Sequence, residues 1–362
     1  FYAASVGEVL AQGDTFGRSD FGGGKKVMVE FVSANPTGPM HMGNARGGAL
    51  GDCLAAVLDA AGYDVWREFY INDAGNQIEK FGLSLDIRYQ QLFLGDKAPE
   101  LPEDAYHGDD IRVHAQGYAA LHGDSLLEVS EEERRKALVA YALPLNIDKM
   151  QRDLKKYRIV YDQWFHESVL HNSGEVQEGI DLLTEKGLTY EKDGALWYKA
   201  SENGGEKDEV LVRANGNPTY FAADIAYHRN KFRRGFDTCI DVWGADHHGH
   251  VARMKGAMDA IGLDGDQLQV VLSQLVRLMR DGEVVRMSKR SGKAIQLAGL
   301  LDEVPVDAAR FFFNLREANT RMDFDLDLAV EQSASNPVYY VQYAHARICS
   351  IFKNLAADGI SP

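Results

Sequence analysis

Two short stretches carry residues suited to work on a phosphorylated substrate. His41-Met42-Gly43-Asn44 opens a helical pattern directly after a strand and a Pro/Gly turn. Arg286-Met287-Ser288-Lys289, followed by Arg290-Ser291-Gly292-Lys293, is a basic loop containing a glycine. A strand–turn–helix leaves unpaired backbone N–H groups and the positive end of a helix dipole at the strand's carboxyl edge, where phosphates bind. Taken alone, His41 reads as a helix cap as readily as a catalyst, and Gly43, Gly47, Gly48 and Gly51 as room for close helix–sheet packing. A third stretch, Gly244-Ala245-Asp246-His247-His248-Gly249-His250, lies between an apolar strand and a helix. Its His and Asp residues resemble a zinc ligand cluster but lack a partner cysteine or a His-x-x-x-His helix pattern. Three carboxylates stand where apolar residues belong: Glu30 interrupts a strand, Asp73 ends a second, and Asp224 sits in an otherwise apolar segment. A buried carboxylate must be paired, so each has either a core Lys or Arg or a cationic ligand for a partner.

The elements that must position these residues follow from periodicity. Val27, Val29, Phe31 and Val32 form a near-continuous apolar strand. Pro36, Gly38 and Pro39 exclude regular structure after it. Leu50, Leu54, Val57, Leu58 and Ala61 then share one helix face that Gly62 terminates. Asp64–Tyr70 is a second strand, and Asn72–Ile87 begins a helix. Ser130 and Glu133 form a capping box for a helix reaching about Arg158, with a kink expected at Pro144. Tyr220 and Asp224 are one helical turn apart and share a face. Cys239–Trp243 and Gln269–Leu278 read as single strands, His250–Ile261 and Asp307–Arg316 as helices. Asn336 caps a final helix with Pro337 at its first position.

The 362 residues suit two or three domains, and the 45% hydrophobic, 26% charged composition is that of an ordinary globular chain. No apolar run approaches the length of a membrane span. Cys53, Cys239 and Cys349 lie far apart with no C-x-x-C pair, which argues against structural zinc and a disulfide framework and fits a reducing cytoplasm. A net charge of −15 suits a cationic small substrate and, by itself, argues against a nucleic-acid partner. Any nucleic-acid contact must be a local basic patch, with Lys231, Arg233, Arg234 and the Arg286–Lys293 loop as candidates.

The first two stretches, in this order, resemble the HIGH and KMSK signatures of class I aminoacyl-tRNA synthetases. The segments VEFVSANPTGPMHMGNARG, YINDAGNQIEKFG, NPTYFAADIAYH, WGADHHGH and NPVYYVQYAHARI resemble arginyl-tRNA synthetases, and the resemblance covers nearly the whole chain. It implies an α/β fold: a Rossmann-like parallel sheet of the class I type, with a mixed α+β insertion and the start of a C-terminal helical domain. Residues 1–24 are then a lead-in from another domain, and 25–87 the first half of the nucleotide-binding fold. Residues 88–208 are the connective insertion, 209–300 the second half with the RMSK loop, and 301–362 the stem-contact region and first helix of an anticodon-binding domain. It implies activation of L-arginine by ATP with Mg²⁺ and transfer to the terminal adenosine of tRNA, in the cytoplasm and away from membranes. The oligomeric state is left open. A chain cut on both sides is expected to bind ATP and arginine but to charge tRNA poorly.

By the same resemblance His41, Asn44, Lys289, Ser288 and Arg286 are catalytic. Gly38, His41, Gly43, Asn44, Gly244, Asp246, His247, Met287 and Lys289 meet ATP. Glu30, Asn35, Tyr220 and Asp224 hold the arginine, with Ser33 and Asp73 nearby; no metal ligands are assigned. Amino-acid activation needs positioning and charge stabilisation rather than an enzyme nucleophile. His41 and Ser288 can donate to phosphoryl oxygens, and Lys289 is the cation for the pyrophosphate side. Guanidinium offers donors only, so carboxylates are its strongest partners. The chain departs from the family pattern at Asn44, which replaces a second His, and at Arg286, which replaces a signature lysine and changes a point charge into a planar fork. The division of roles among Arg286, Lys289 and Lys293 therefore stays open. Within the class, glutamyl-, glutaminyl- and lysyl-type enzymes are the rivals, and carboxylates in the pocket would repel a carboxylate side chain. A free-standing nucleotidyltransferase and a non-enzymatic sensing module are the readings from other classes.

Overall fold

The computed structural model describes residues 2–285 and 295–360. The Arg286, Met287, Ser288, Lys289 and Lys293 assignments fall outside the described residues. In chain order the strands are β1 (Lys26–Glu30), β2 (Asp64–Ile71), β3 (Gln163–His166) and β4 (Thr189–Lys192). There follow β5 (Ala195–Tyr198), β6 (Glu209–Val212), β7 (Thr238–Gly244), β8 (Leu268–Ser273), β9 (Val276–Arg280), β10 (Glu283–Val284) and β11 (Met322–Asp325). They build a five-stranded sheet in the order β3-β2-β1-β7-β8 and two three-stranded sheets, β10-β9-β11 and β4-β5-β6. β1 pairs in parallel with both β2 and β7, and β2 with β3. This is the α/β, Rossmann-like arrangement that the family resemblance implies.

The chain divides into two compact units. The first comprises Phe1–Pro36, Leu50–Glu79 and Val160–Leu272. Its sheet centre is β1, where Val27, Met28 and Val29 are buried, as a strand flanked on both sides requires. Gly51 is needed for packing: a Cβ there would overlap the Phe31 ring. The strand ends sooner than its apolar run suggested, because Val32 and Ser33 adopt φ of 74° and 34°. A β-branched residue in the left-handed region is strained and persists only where its surroundings dictate it. β4, β5 and β6 form an antiparallel ribbon sheet.

The second unit comprises Thr37–Ala49, Lys80–Ile159 and Ser273–Pro362. Phe81, Leu85, Tyr89, Ile111, Leu138 and Ala142 pack one helical core within it. The helix Glu131–Lys156 begins with the expected capping box, Ser130 accepting from the Glu133 N–H and Glu133 from the Ser130 N–H, and contains Pro144. Asn336 caps Pro337–Ala357, accepting from Val338 N at 3.0 Å. The stretch Gln269–Leu278, expected to be one strand, is two: the chain leaves β8 at Ser273 and enters a different sheet at Val276. Gln274 between them donates its N–H to the Ala318 carbonyl, and β9 pairs in parallel with β11. None of the described helices is long and apolar enough to cross a membrane.

Candidate active site

In the second unit the His41 segment is pinned to the residues that follow the basic loop. His41 and Gln296 form an antiparallel bridge, Met42 N donates to Ile295 O at 2.8 Å, and Leu297 N donates to Met40 O at 2.9 Å. The helix Gly43–Ala60 starts at this point. Gly43 N donates to Nδ1 of His41 at 3.0 Å, which fixes the ring tautomer with its proton on Nε2. A Cβ at Gly43 would crowd that same nitrogen. Burial pushes the His41 pKa down, so the ring is a neutral donor. Asn44 lies in the first turn, its N–H bonded to the His41 carbonyl. His41 and Pro39 line a cavity of about 1040 Å³ together with Leu278, Arg280, Val285 and Gln296. Gly38 sits against Asp110, another residue of the cavity wall.

The first unit gathers the acidic residues. Thr219 caps the helix Tyr220–Arg233, which presents Tyr220 and Asp224 on one face as expected. Both line a cavity of about 580 Å³ with Trp197, His247, His250 and Arg253. Arg253 donates from Nε to His250 Nδ1 at 3.1 Å, leaving the Nε2 proton for the Asp224 carboxylate at 3.2 Å. Asp246 and His247 lie on the exposed turn after β7, where a Cβ at Gly244 would overlap the Asp246 carboxylate. Asn35 is exposed on the loop after β1.

Glu30 has a different environment from the one expected. Its carboxylate, 6% exposed, accepts from Lys231 Nζ at 2.5 Å and from Ser33 Oγ at 2.7 Å. Ser33 Oγ in turn accepts from Tyr70 N at 3.1 Å. Glu30 is the register partner of Asp241 on β7, so two carboxylates stand side by side across the strands. Lys231, fully buried, donates to both Asp241 oxygens at 2.8 and 2.9 Å, and His228 Nε2 adds a third bond to Asp241 at 2.9 Å. Burial raises the Glu30 pKa against the pull of Lys231, whereas Lys231 and His228 outweigh burial and hold Asp241 below the usual range. The pairing of Glu30 with a core cation is thus what the geometry holds. The same geometry corrects the basic patch: Lys231 is sealed inside, and Arg234 is committed to Glu68 through bonds of 2.7 and 2.8 Å.

Asp73 is also committed. It accepts from His166 Nδ1 at 2.8 Å and from Ser168 N and Oγ at 2.8 and 2.9 Å, anchoring the turn that presents Glu167. Glu167 is the residue that reading the sequence missed. It is 3% exposed, and its carboxylate meets Nε2 of His171 at 3.3 Å. Burial first, then the charges of Glu167, Asp224 and Glu30, push the buried Tyr70 hydroxyl well above its ordinary range. Three carboxylates therefore act on one hydroxyl. Such a field favours a cation.

The family model described as tRNA synthetases class I (R), catalytic domain, matches residues 5–352. The arginine–tRNA ligase of Ruminiclostridium cellulolyticum is 62% identical over 98% of this chain and 63% of its own length. That of Acetivibrio thermocellus is 63% identical over 96% of this chain and 62% of its own. The chain thus spans a little under two thirds of these curated relatives. A solved Campylobacter jejuni chain described as an arginyl-tRNA synthetase superimposes with a TM-score of 0.88 at 35% identity, covering 98% of this chain and 76% of that one. The Thermus thermophilus arginyl-tRNA synthetase shares the fold at a TM-score of 0.68 and 22% identity, over 91% and 65% of the two chains.

Proposed function

The chain belongs to the class I (R) family of tRNA synthetase catalytic domains, and from that premise we propose that it activates L-arginine with MgATP and passes the arginyl group to tRNA. The arginine carboxylate attacks the α-phosphate of ATP, pyrophosphate leaves, and the terminal ribose hydroxyl of the tRNA then displaces AMP from the adenylate carbonyl. His41 donates its Nε2 proton in a hydrogen bond to a phosphoryl oxygen. Its ring is held for that task by the Gly43 N–H. Bound with the nucleotide, Mg²⁺ would supply further neutralisation of the phosphate charge. Lys289, Ser288 and Arg286 complete the phosphate contacts on the strength of the sequence pattern. Asp224 and Glu167 accept from the guanidinium, while Tyr220 lies one turn from Asp224 on the same cavity wall. Glu30 serves through Lys231 and Ser33 rather than by direct contact.

The observation that carries this reading is the backbone pairing of residues 40–42 with residues 295–297. It supports the convergence of the two signatures that phosphoryl chemistry needs. The test is ATP–pyrophosphate exchange with each amino acid, with and without tRNA. Exchange confined to arginine and dependent on tRNA is the expected result. Exchange with glutamate, glutamine or lysine would move the chain to a rival specificity, and exchange with no tRNA requirement would favour a free-standing nucleotidyltransferase.

A further inference from the structure

Arg46 is among the largest fully buried side chains of the molecule, at 1% exposed, and among the described residues no carboxylate pairs with it. Its guanidinium is met by backbone carbonyls alone. Nη1 donates to Gln274 O at 3.0 Å and to Thr320 O at 2.7 Å, and Nη2 donates to Glu317 O at 2.7 Å. Nε finds no partner among the described residues. Burying a cation without a counter-ion is costly, so a purely structural clamp would be better made of neutral groups. The three carbonyls are not arbitrary. Gln274 lies two residues before β9, and Glu317 and Thr320 lie five and two residues before β11, the strand parallel to it. Arg46 itself lies in the first turn of Gly43–Ala60, whose Ala45 carbonyl is held from another direction by the Tyr157 hydroxyl at 3.0 Å.

The consequence is geometric. Pro39 and His41 form one wall of the 1040 Å³ cavity, and Leu278 and Arg280 of β9, with Val285, form another. The base of the β9 wall is tied to the helix of the His41 wall through Arg46. We propose that Arg46 is a positioning residue which fixes the separation of these two walls and thereby tunes nucleotide binding. A guanidinium suits the task because its planar fork spreads its donors over separate nitrogens in a fixed geometry, whereas an ammonium must gather all its acceptors around one point. The inference takes this cavity to be where ATP binds because His41 lines it, and so rests on the role proposed above for His41.

The test compares Arg46→Lys and Arg46→Gln with the wild type, titrating MgATP and L-arginine separately by calorimetry and following unfolding by circular dichroism. Cooperatively folded variants with ATP affinity weakened about tenfold or more, and arginine affinity unchanged, are expected; misplacement by a fraction of an ångström is enough for that. Unchanged ATP affinity in folded variants would overturn the proposal. Parallel loss of both ligands would also overturn it, because that is what general loosening produces. Should neither variant fold, hydrogen exchange of the wild type decides. Saturating MgATP must slow amides at 274–278 and 317–322 as well as at 40–44, and protection confined to 40–44 counts against the proposal. A wild type that binds no ATP would remove the premise, and with it the inference, whatever the variants do.

Discussion

Lys231 in the first unit and Arg46 in the second are buried cations answered in opposite ways. In the first, Lys231 is sealed between Glu30 and Asp241, with His228 alongside, so each charge of this cluster faces one of opposite sign. In the second, Arg46 is surrounded by dipoles and keeps its net charge. The paired arrangement neutralises itself and is stiff, which suits the floor of a site that must show a surplus of negative charge elsewhere. The dipole arrangement leaves a positive residue in the unit assigned to a polyanionic substrate. The lesson is that burial alone does not tell what a charged side chain is for. The groups that answer its charge do.

Removing one member of the paired set should have the largest effect. Lys231→Met leaves two buried carboxylates adjacent and unanswered, and thermal or urea unfolding should register a loss of about 3–5 kcal/mol. The triple variant that adds Glu30→Gln and Asp241→Asn should recover much of that loss, since it removes the uncompensated charges together. If the triple variant is no better than the single one, the contrast between Lys231 and Arg46 fails. Next in size, Asp224→Asn and Glu167→Gln should each weaken arginine binding by about ten- to a hundredfold, equivalent to about 1.5–3 kcal/mol, as read by calorimetry. Neither should alter ATP affinity, and a loss of ATP binding in either would erase the separation of roles.

The pH dependence has a definite sign. Asp241 titrates below its ordinary value of 3.8 in the folded chain, so its contribution is present above that value and fades as pH falls through the folded pKa. Lys231 titrates above 10.5, so its contribution is complete below that value and is lost only as pH rises through the higher folded pKa. Unfolding followed from neutral pH into acid and into alkali should show both limbs, and Lys231→Met should abolish the alkaline one. Smallest is Ser130→Ala, a residue that lines neither cavity, which should cost about 1 kcal/mol through the lost cap and leave both affinities unchanged.

Much of this was legible from residue pattern. The spacing of Tyr220 and Asp224 predicted a shared helix face, and the Ser130 and Asn336 caps stand where their sequences place them. The resemblance read from the signatures located His41, but not the Gly43 N–H that fixes its ring. Lys231 was misplaced on a surface patch although its spacing held the clue. Positions 220, 224, 227 and 231 recur at helical intervals, so Lys231 belongs to the face of Tyr227 rather than to solvent. The break between β8 and β9 was hidden because both halves are apolar. Only the polar pair Ser273-Gln274 marks it, and its cause is tertiary, in the Gln274 contacts with Arg46 and Ala318. Glu167 gave no local signal at all. A glutamate after a short strand looks like any loop residue until its burial is seen.

The sealing of Lys231 also makes it a chemical clock. An amine with no solvent exposure, its protons taken by two carboxylates, is closed to acylating reagents while the fold holds. Its acylation at fixed reagent concentration therefore counts molecules that have opened, and the time course, read peptide by peptide in a mass spectrometer, reports how often this floor comes apart.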